Sequence, residues 1–228
     1  MAMDGPWGIP TVNTPMDDGL LLLAQWLSPG FPLGSFAYSQ GLESAIADGV
    51  VGDAETLELW LADTLAHGTG RTDAILIRTA HGATDRNALS EVDATARAFA
   101  SCAGRSIELH DMGAAFSNTV DAVWAVGLDG LSFPVGFGAA CRARGIDVDR
   151  AVPFYLHAGV ANVVAAAQRL MPLGQTRAQG IIAALSPLCE RVALETRGAT
   201  PDDIATASFA ADIAAMRHET LEPRIFRT

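Results

Sequence analysis

Apolar residues recur at helical spacing in segment after segment, the period of one buried face of an α-helix, and β-branched runs are scarce. The pattern predicts an all-α, single-domain helical bundle of about ten helices. Thr14-Pro15 reads as an N-cap with proline at the first helical position, opening a helix that runs to about Ser28. Its leucines and Trp26 surround nearly all sides, so it is either a central core helix or one whose second face meets a partner chain. Gln40 to Asp48 follows, stopped by Gly49. Asp53 caps the next helix, with Leu57, Trp60, Leu61 and Leu65 on one stripe before Gly68. Shorter helices are predicted from Thr72 to about Ala83, Asn87 to about Ala103 and Ser106 to about Val126.

The longest stripe, Val152, Leu156, Val160, Val163, Ala167 and Leu170, places a helix over 149–170. Gln175 to about Arg197 resumes it, and Pro187 should kink or divide that segment after Leu185. Thr200, Pro201 and Asp203 form the opening of a last helix. Residues 1–15, rich in proline and glycine, are expected to be a mobile lead-in, and 16–228 one folded domain with a docked C-terminal tail.

Two segments break the helical rhythm. Ser28 to Glu43 holds two prolines, three glycines and the aromatics Phe31, Phe36 and Tyr38, a combination that specifies the backbone path and supplies apolar area to pin it. It is either an ordered functional loop or a helix-to-helix turn whose aromatics are core. Phe133-Pro134-Val135-Gly136-Phe137-Gly138 partly echoes it and reads as a second aromatic loop.

Composition narrows the classes of partner. The 228 residues are half hydrophobic, carry a net charge of −11, and draw all fifteen basic residues from arginine. An acidic surface disfavours nucleic acid and anionic membranes, which need basic patches. Arginine's planar fork suits carboxylates and protein interfaces, although an all-arginine chain can equally reflect genome composition. Three scattered cysteines suggest neither a disulfide framework nor zinc, and no apolar run reaches membrane-spanning length. A cytoplasmic location is expected.

The chemical inventory is thin. There is no phosphate-binding glycine loop with lysine, so nucleotide binding by this chain is not expected. The five histidines form no metal-ligand pair, leaving only weak contacts beside Asp111 and Glu219, and no metal or cofactor is expected. Ala37-Tyr38-Ser39-Gln40-Gly41 imitates a nucleophile elbow, but that device needs a strand before the serine. Ser39 is better read as a cap for the helix that follows, with Glu43 in its first turn.

Three marks in order carry a family resemblance: Phe31 through Glu43, the run Arg169-Leu170-Met171-Pro172-Leu173-Gly174-Gln175, and the tail from Met216-Arg217-His218-Glu219 to Arg224-Ile225-Phe226-Arg227-Thr228. They resemble the urease accessory protein UreF family from about Leu20 to the last residue. Small departures are Gly34-Ser35 for two glycines, Ile225 for leucine, Thr228 for serine and Arg169 where some members carry lysine.

The resemblance implies a helical homodimer without catalysis of its own. It further implies a chain that joins UreD (also called UreH) and the GTPase UreG in delivering nickel to apo-urease and that regulates GTP hydrolysis by UreG. By position it makes Tyr38, Ser39, Gln40, Glu43, Arg169, His218, Glu219, Arg224 and Phe226 partner-binding candidates. A serine-dependent hydrolase using Ser39, or a direct nickel carrier, are the alternatives.

Overall fold

The computed structural model describes residues 18–228, so the proposed lead-in and the Thr14-Pro15 cap lie outside the described residues. Ten α-helices are found among them: α1 (Asp18–Trp26), α2 (Leu42–Ala47), α3 (Ala54–His67), α4 (Thr69–Gly82), α5 (Arg86–Ala98), α6 (Ala103–Trp124), α7 (Phe133–Ala143), α8 (Val148–Leu170), α9 (Gln175–Glu195) and α10 (Phe209–His218). Single 3-10 turns occupy Ser35–Ala37 and Pro201–Asp203. There is no strand among the described residues.

Local chemistry sets several of these boundaries. Asp53 accepts the Thr56 amide at 2.8 Å while the Thr56 hydroxyl accepts the Asp53 amide at 3.1 Å, which satisfies two otherwise orphaned donors at the start of α3. Asp85 does half of this for α5, accepting from the Ala88 amide at 2.9 Å. Gly49, at φ 74°, ends α2 in the left-handed conformation as expected.

The core is centred on α4, which lies along α7 and also meets α3, α8 and α5, while α8 packs on α9. Rings contributed by four helices and a loop fill its middle. Trp26 of α1 meets Phe116 and Trp124 of α6 edge-on, each at 5.6 Å. Phe116 meets Phe133 of α7 at 5.5 Å, and Phe133 and Phe137 both lie 5.3 Å from Tyr155 of α8. Each such pair adds about 0.5–1.5 kcal/mol beyond area burial, so Trp26 anchors a short helix firmly. The same helix leaves Leu20 and Leu21 exposed, so α1 combines a buried face with an open apolar one.

Three expectations are corrected. Phe133 to Gly138 is not a loop: it is the wholly buried first half of α7. Gly138 serves close packing, since a Cβ there would stand 2.4 Å from the Ile77 carbonyl oxygen of α4. Pro187 does not divide α9. It is exposed, as is Ala183, so the carbonyl it leaves unpaired faces water, and Leu185, Cys189 and Val192 hold the opposite side in the core. Finally, Thr200 and Asp203 close only one 3-10 turn, the Asp203 carboxylate accepting from the Thr200 amide at 2.8 Å. The chain then runs extended, tied by the Ala207 amide to the His67 carbonyl at 2.8 Å and by Ser208 to Asp63, before α10 begins.

Candidate functional site

Two successive left-handed residues, Gln40 at φ 56° and Gly41 at φ 80°, turn the chain between the aromatic loop and α2. Only glycine fits the second position, because a Cβ there would lie 2.7 Å from the Ala215 amide nitrogen of α10. The turn aims Ser39 and Glu43 at the C-terminal tail. The Ser39 hydroxyl accepts the Glu43 amide at 3.3 Å, as a cap should. It also donates to the main-chain oxygen of Thr228 at 2.6 Å, and the Ser39 amide donates to that same oxygen at 2.6 Å.

Glu43 is the centre of the dock. One carboxylate oxygen accepts the Ile225 amide at 2.6 Å; the other accepts the Phe226 amide at 3.0 Å and meets His218 Nε2 at 2.8 Å. Burial pushes the Glu43 carboxyl upward, but its bonds to His218, Ile225 and Phe226 outweigh that and hold it below its ordinary range. Around this centre the Arg227 amide donates to the Ala37 carbonyl at 2.8 Å. Phe226 is buried under the Arg169 guanidinium, 4.4 Å from the ring centre, and Arg169 donates in turn to the Phe36 carbonyl at 2.8 Å.

Tyr38 is buried and donates to Asp111 at 3.2 Å, with Arg227 within 3.4 Å of both. Burial raises the Tyr38 phenol and Asp111 adds to this, while Arg227 opposes it.

Behind the dock lies a cavity of about 720 Å³. Leu23, Phe31, Trp60 and Phe133 make part of its apolar wall, while Asp73, Arg105, Glu108 and Tyr155 supply polar lining and Thr228 reaches it from the tail. The Thr228 hydroxyl donates to Glu108 at 2.9 Å, and Gln40 donates to the other Glu108 oxygen at 3.2 Å. Arg105 spans two acids, 2.6 Å from Glu108 and 3.4 Å from Asp73, and Tyr155 donates to Asp73 at 2.9 Å. Burial raises the Asp73 carboxyl despite Arg105 and Tyr155, and raises the Tyr155 phenol, to which the Asp73 charge adds.

The nine residues singled out in the sequence therefore divide. Tyr38, Ser39, Glu43, His218 and Phe226 converge in the buried dock, with Gln40 and Arg169 closing its edges. Glu219, at the end of α10, instead accepts the Gly104 amide at 2.9 Å in the first turn of α6. Arg224 is exposed, with no hydrogen-bond or ion-pair partner among the described residues. Ser39 is fully buried, and no histidine bonds its hydroxyl among the described residues, so a nucleophile elbow is not formed.

His218 is committed to Glu43, and no group of three or more potential metal ligands occurs among the described residues. Sequence reasoning missed Asp73, Arg105, Glu108 and Tyr155; the opposite charges at Arg105 and Glu108, three apart on one helix, were the available signal.

Residues 51–186 match the UreF family model. The chain is 49% identical over 211 residues to the urease accessory protein UreF of Roseobacter denitrificans, an alignment covering 92% of this chain and 95% of that protein. It is 43% identical to the same-named protein of Ruegeria pomeroyi, covering 94% and 99%, and 48% identical to that of Cereibacter sphaeroides, covering 93% and 100%.

Proposed function

Because the chain belongs to the UreF family, we propose that it is a urease maturation factor acting through its surfaces rather than through catalysis. In this reading it is a cytoplasmic homodimer that brings UreD (UreH) and the GTPase UreG to apo-urease for nickel insertion and influences GTP hydrolysis by UreG. The observation that supports it most is the division of labour in the tail. Phe226 and Thr228 face inward, and their contacts fix the backbone, while Arg224 and Ile225 beside them and Phe36 across the loop remain exposed. A rigid backbone presenting arginine and large apolar groups is what an interface hot spot requires, because little ordering entropy remains to be lost on binding.

Tyr38, Ser39, Gln40, Glu43, His218 and Phe226 then contribute by shaping that surface, while Arg169, Glu219 and Arg224 contribute at its edge. Arg224→Glu places a carboxylate where the guanidinium fork is proposed to meet a partner, without touching any contact of the dock. Pull-down of UreD and UreG by this variant should fall at least tenfold, with the helical circular-dichroism spectrum and melting temperature unchanged. Capture of both partners at the wild-type level would remove the tail from the interface.

A further inference from the structure

We propose that the hydrogen-bonded chain running from Thr228 through Glu108, Arg105 and Asp73 to Tyr155 is a relay that couples docking of the C-terminal tail to the wall of the central cavity. This goes beyond partner binding and holds for the isolated chain. The relay crosses four separate parts of the fold: the tail, α6 (Arg105 and Glu108), α4 (Asp73) and α8 (Tyr155). Every side chain in it is buried, each link is a hydrogen bond of 2.6–3.4 Å, and two carboxylates share one cation while the Tyr155 phenol extends the chain from Asp73.

The links are unequal, and that inequality gives the relay two arrangements. With the tail docked, one Glu108 oxygen is served by Arg105 and Gln40 and the other by the Thr228 hydroxyl. The guanidinium therefore has one fork arm free to reach Asp73, at the long distance of 3.4 Å. When the tail leaves, the second Glu108 oxygen loses its donor inside the protein, where an unsatisfied carboxylate oxygen is costly.

The second arm of Arg105, whose first arm already holds Glu108 at 2.6 Å, can supply that donor, and a bidentate grip on one carboxylate is the geometry a guanidinium prefers. Arg105 then closes on Glu108 and lets go of Asp73, which is left with Tyr155. The phenol, packed between Phe133, Phe137 and the cavity, moves with its acceptor. Tail release is thereby felt at α8 by a residue that no tail atom hydrogen-bonds.

The chain holds only two tyrosines, and they mark the two ends: Tyr38 in the dock and Tyr155 at the far end of the relay. The full-length protein labelled with 3-fluorotyrosine gives two fluorine resonances, assigned with Tyr38→Phe. Thr228→Val removes the hydroxyl bond to Glu108 but keeps the main-chain oxygen that Ser39 holds, and it should shift the Tyr155 resonance while leaving Tyr38 nearly in place. Arg227→Ala, which loses the contacts to Tyr38 and Asp111 but none to Glu108, should do the reverse. Lysine is a point charge that serves two carboxylates poorly, so in an Arg105→Lys background Thr228→Val should no longer move Tyr155. A Tyr155 resonance that ignores Thr228→Val, or that answers Arg227→Ala equally, overturns the relay.

Discussion

Glu43→Gln changes one atom type in the dock and leaves its shape intact, so its effect can be worked from the geometry. Two tail amides and one imidazole nitrogen converge on two carboxylate oxygens. A glutamine offers a single accepting oxygen, and whichever way the amide is turned its NH2 confronts at least one tail N–H. One hydrogen bond to a charged acceptor is lost, at about 1.5–3 kcal/mol, and a buried donor is left unsatisfied. Some of that loss overlaps, so the docking equilibrium should weaken by about 3 kcal/mol.

At about 1.4 kcal/mol per decade, the Ile225 and Phe226 amides should exchange with deuterium roughly 100-fold faster, while α4 and α8 keep their protection. The wild type should show the same release under acid. The folded Glu43 carboxyl lies below its ordinary value of 4.5, so its contribution is complete above that value and is lost as pH falls through the folded value. Glu43→Gln should lack that acid step. Wild-type exchange rates at Ile225 and Phe226 in the variant would refute Glu43 as the latch, and simultaneous loss of protection through α4 and α8 would make it a global core residue instead.

Two further outcomes test the packing. Gly138→Ala must push α7 off the Ile77 carbonyl; overpacking of this kind costs about 1–3 kcal/mol, so the melting temperature should fall by roughly 5 °C, whereas Gly180→Ala, with open space around its Cβ, should leave it unchanged or raise it slightly. Of the three thiols, burial pushes Cys141 up to about 12 and Cys189 up to about 11, while Cys102 is only half-buried. Titration of the native protein with a disulfide reagent should therefore count one fast thiol, and all three should react after denaturation.

Much of the fold was legible because helical spacing and caps are local signals. Asp53 with its stripe from Leu57 to Leu65, and the long stripe of α8, stand where the periodicity puts them. Two of the three differences share one cause: the local preferences of glycine and proline carry no tertiary context. Gly138 looks like a loop residue until the Ile77 carbonyl of α4 is seen against it, and Pro187 looks like a break until Ala183, whose carbonyl it leaves unpaired, is seen on the exposed side of α9. Close packing decided the first case and solvent exposure the second, and a single chain read in order carries no record of either.

The candidate site was legible in a different way. Its residues were found by motif, but their arrangement depends on partners 68 to 189 positions apart, such as Gln40 with Glu108 and Ser39 with Thr228. That separation explains why the aromatic loop and the tail need each other. Gln40 sits in a left-handed conformation that a non-glycine residue adopts at some cost, and the buried Ser39 and Glu43 would lose their bonds to Thr228, Ile225 and Phe226 with the tail removed. The tail, for its part, has three exposed residues before Ile225 and no helix of its own to order it. Each segment completes the other's hydrogen bonds, so the surface bearing Phe36, Arg224 and Ile225 is built from both. A surface assembled from two interdependent segments can be switched by either one, and the Thr228 to Tyr155 relay gives the fold a route by which that switch reaches its core.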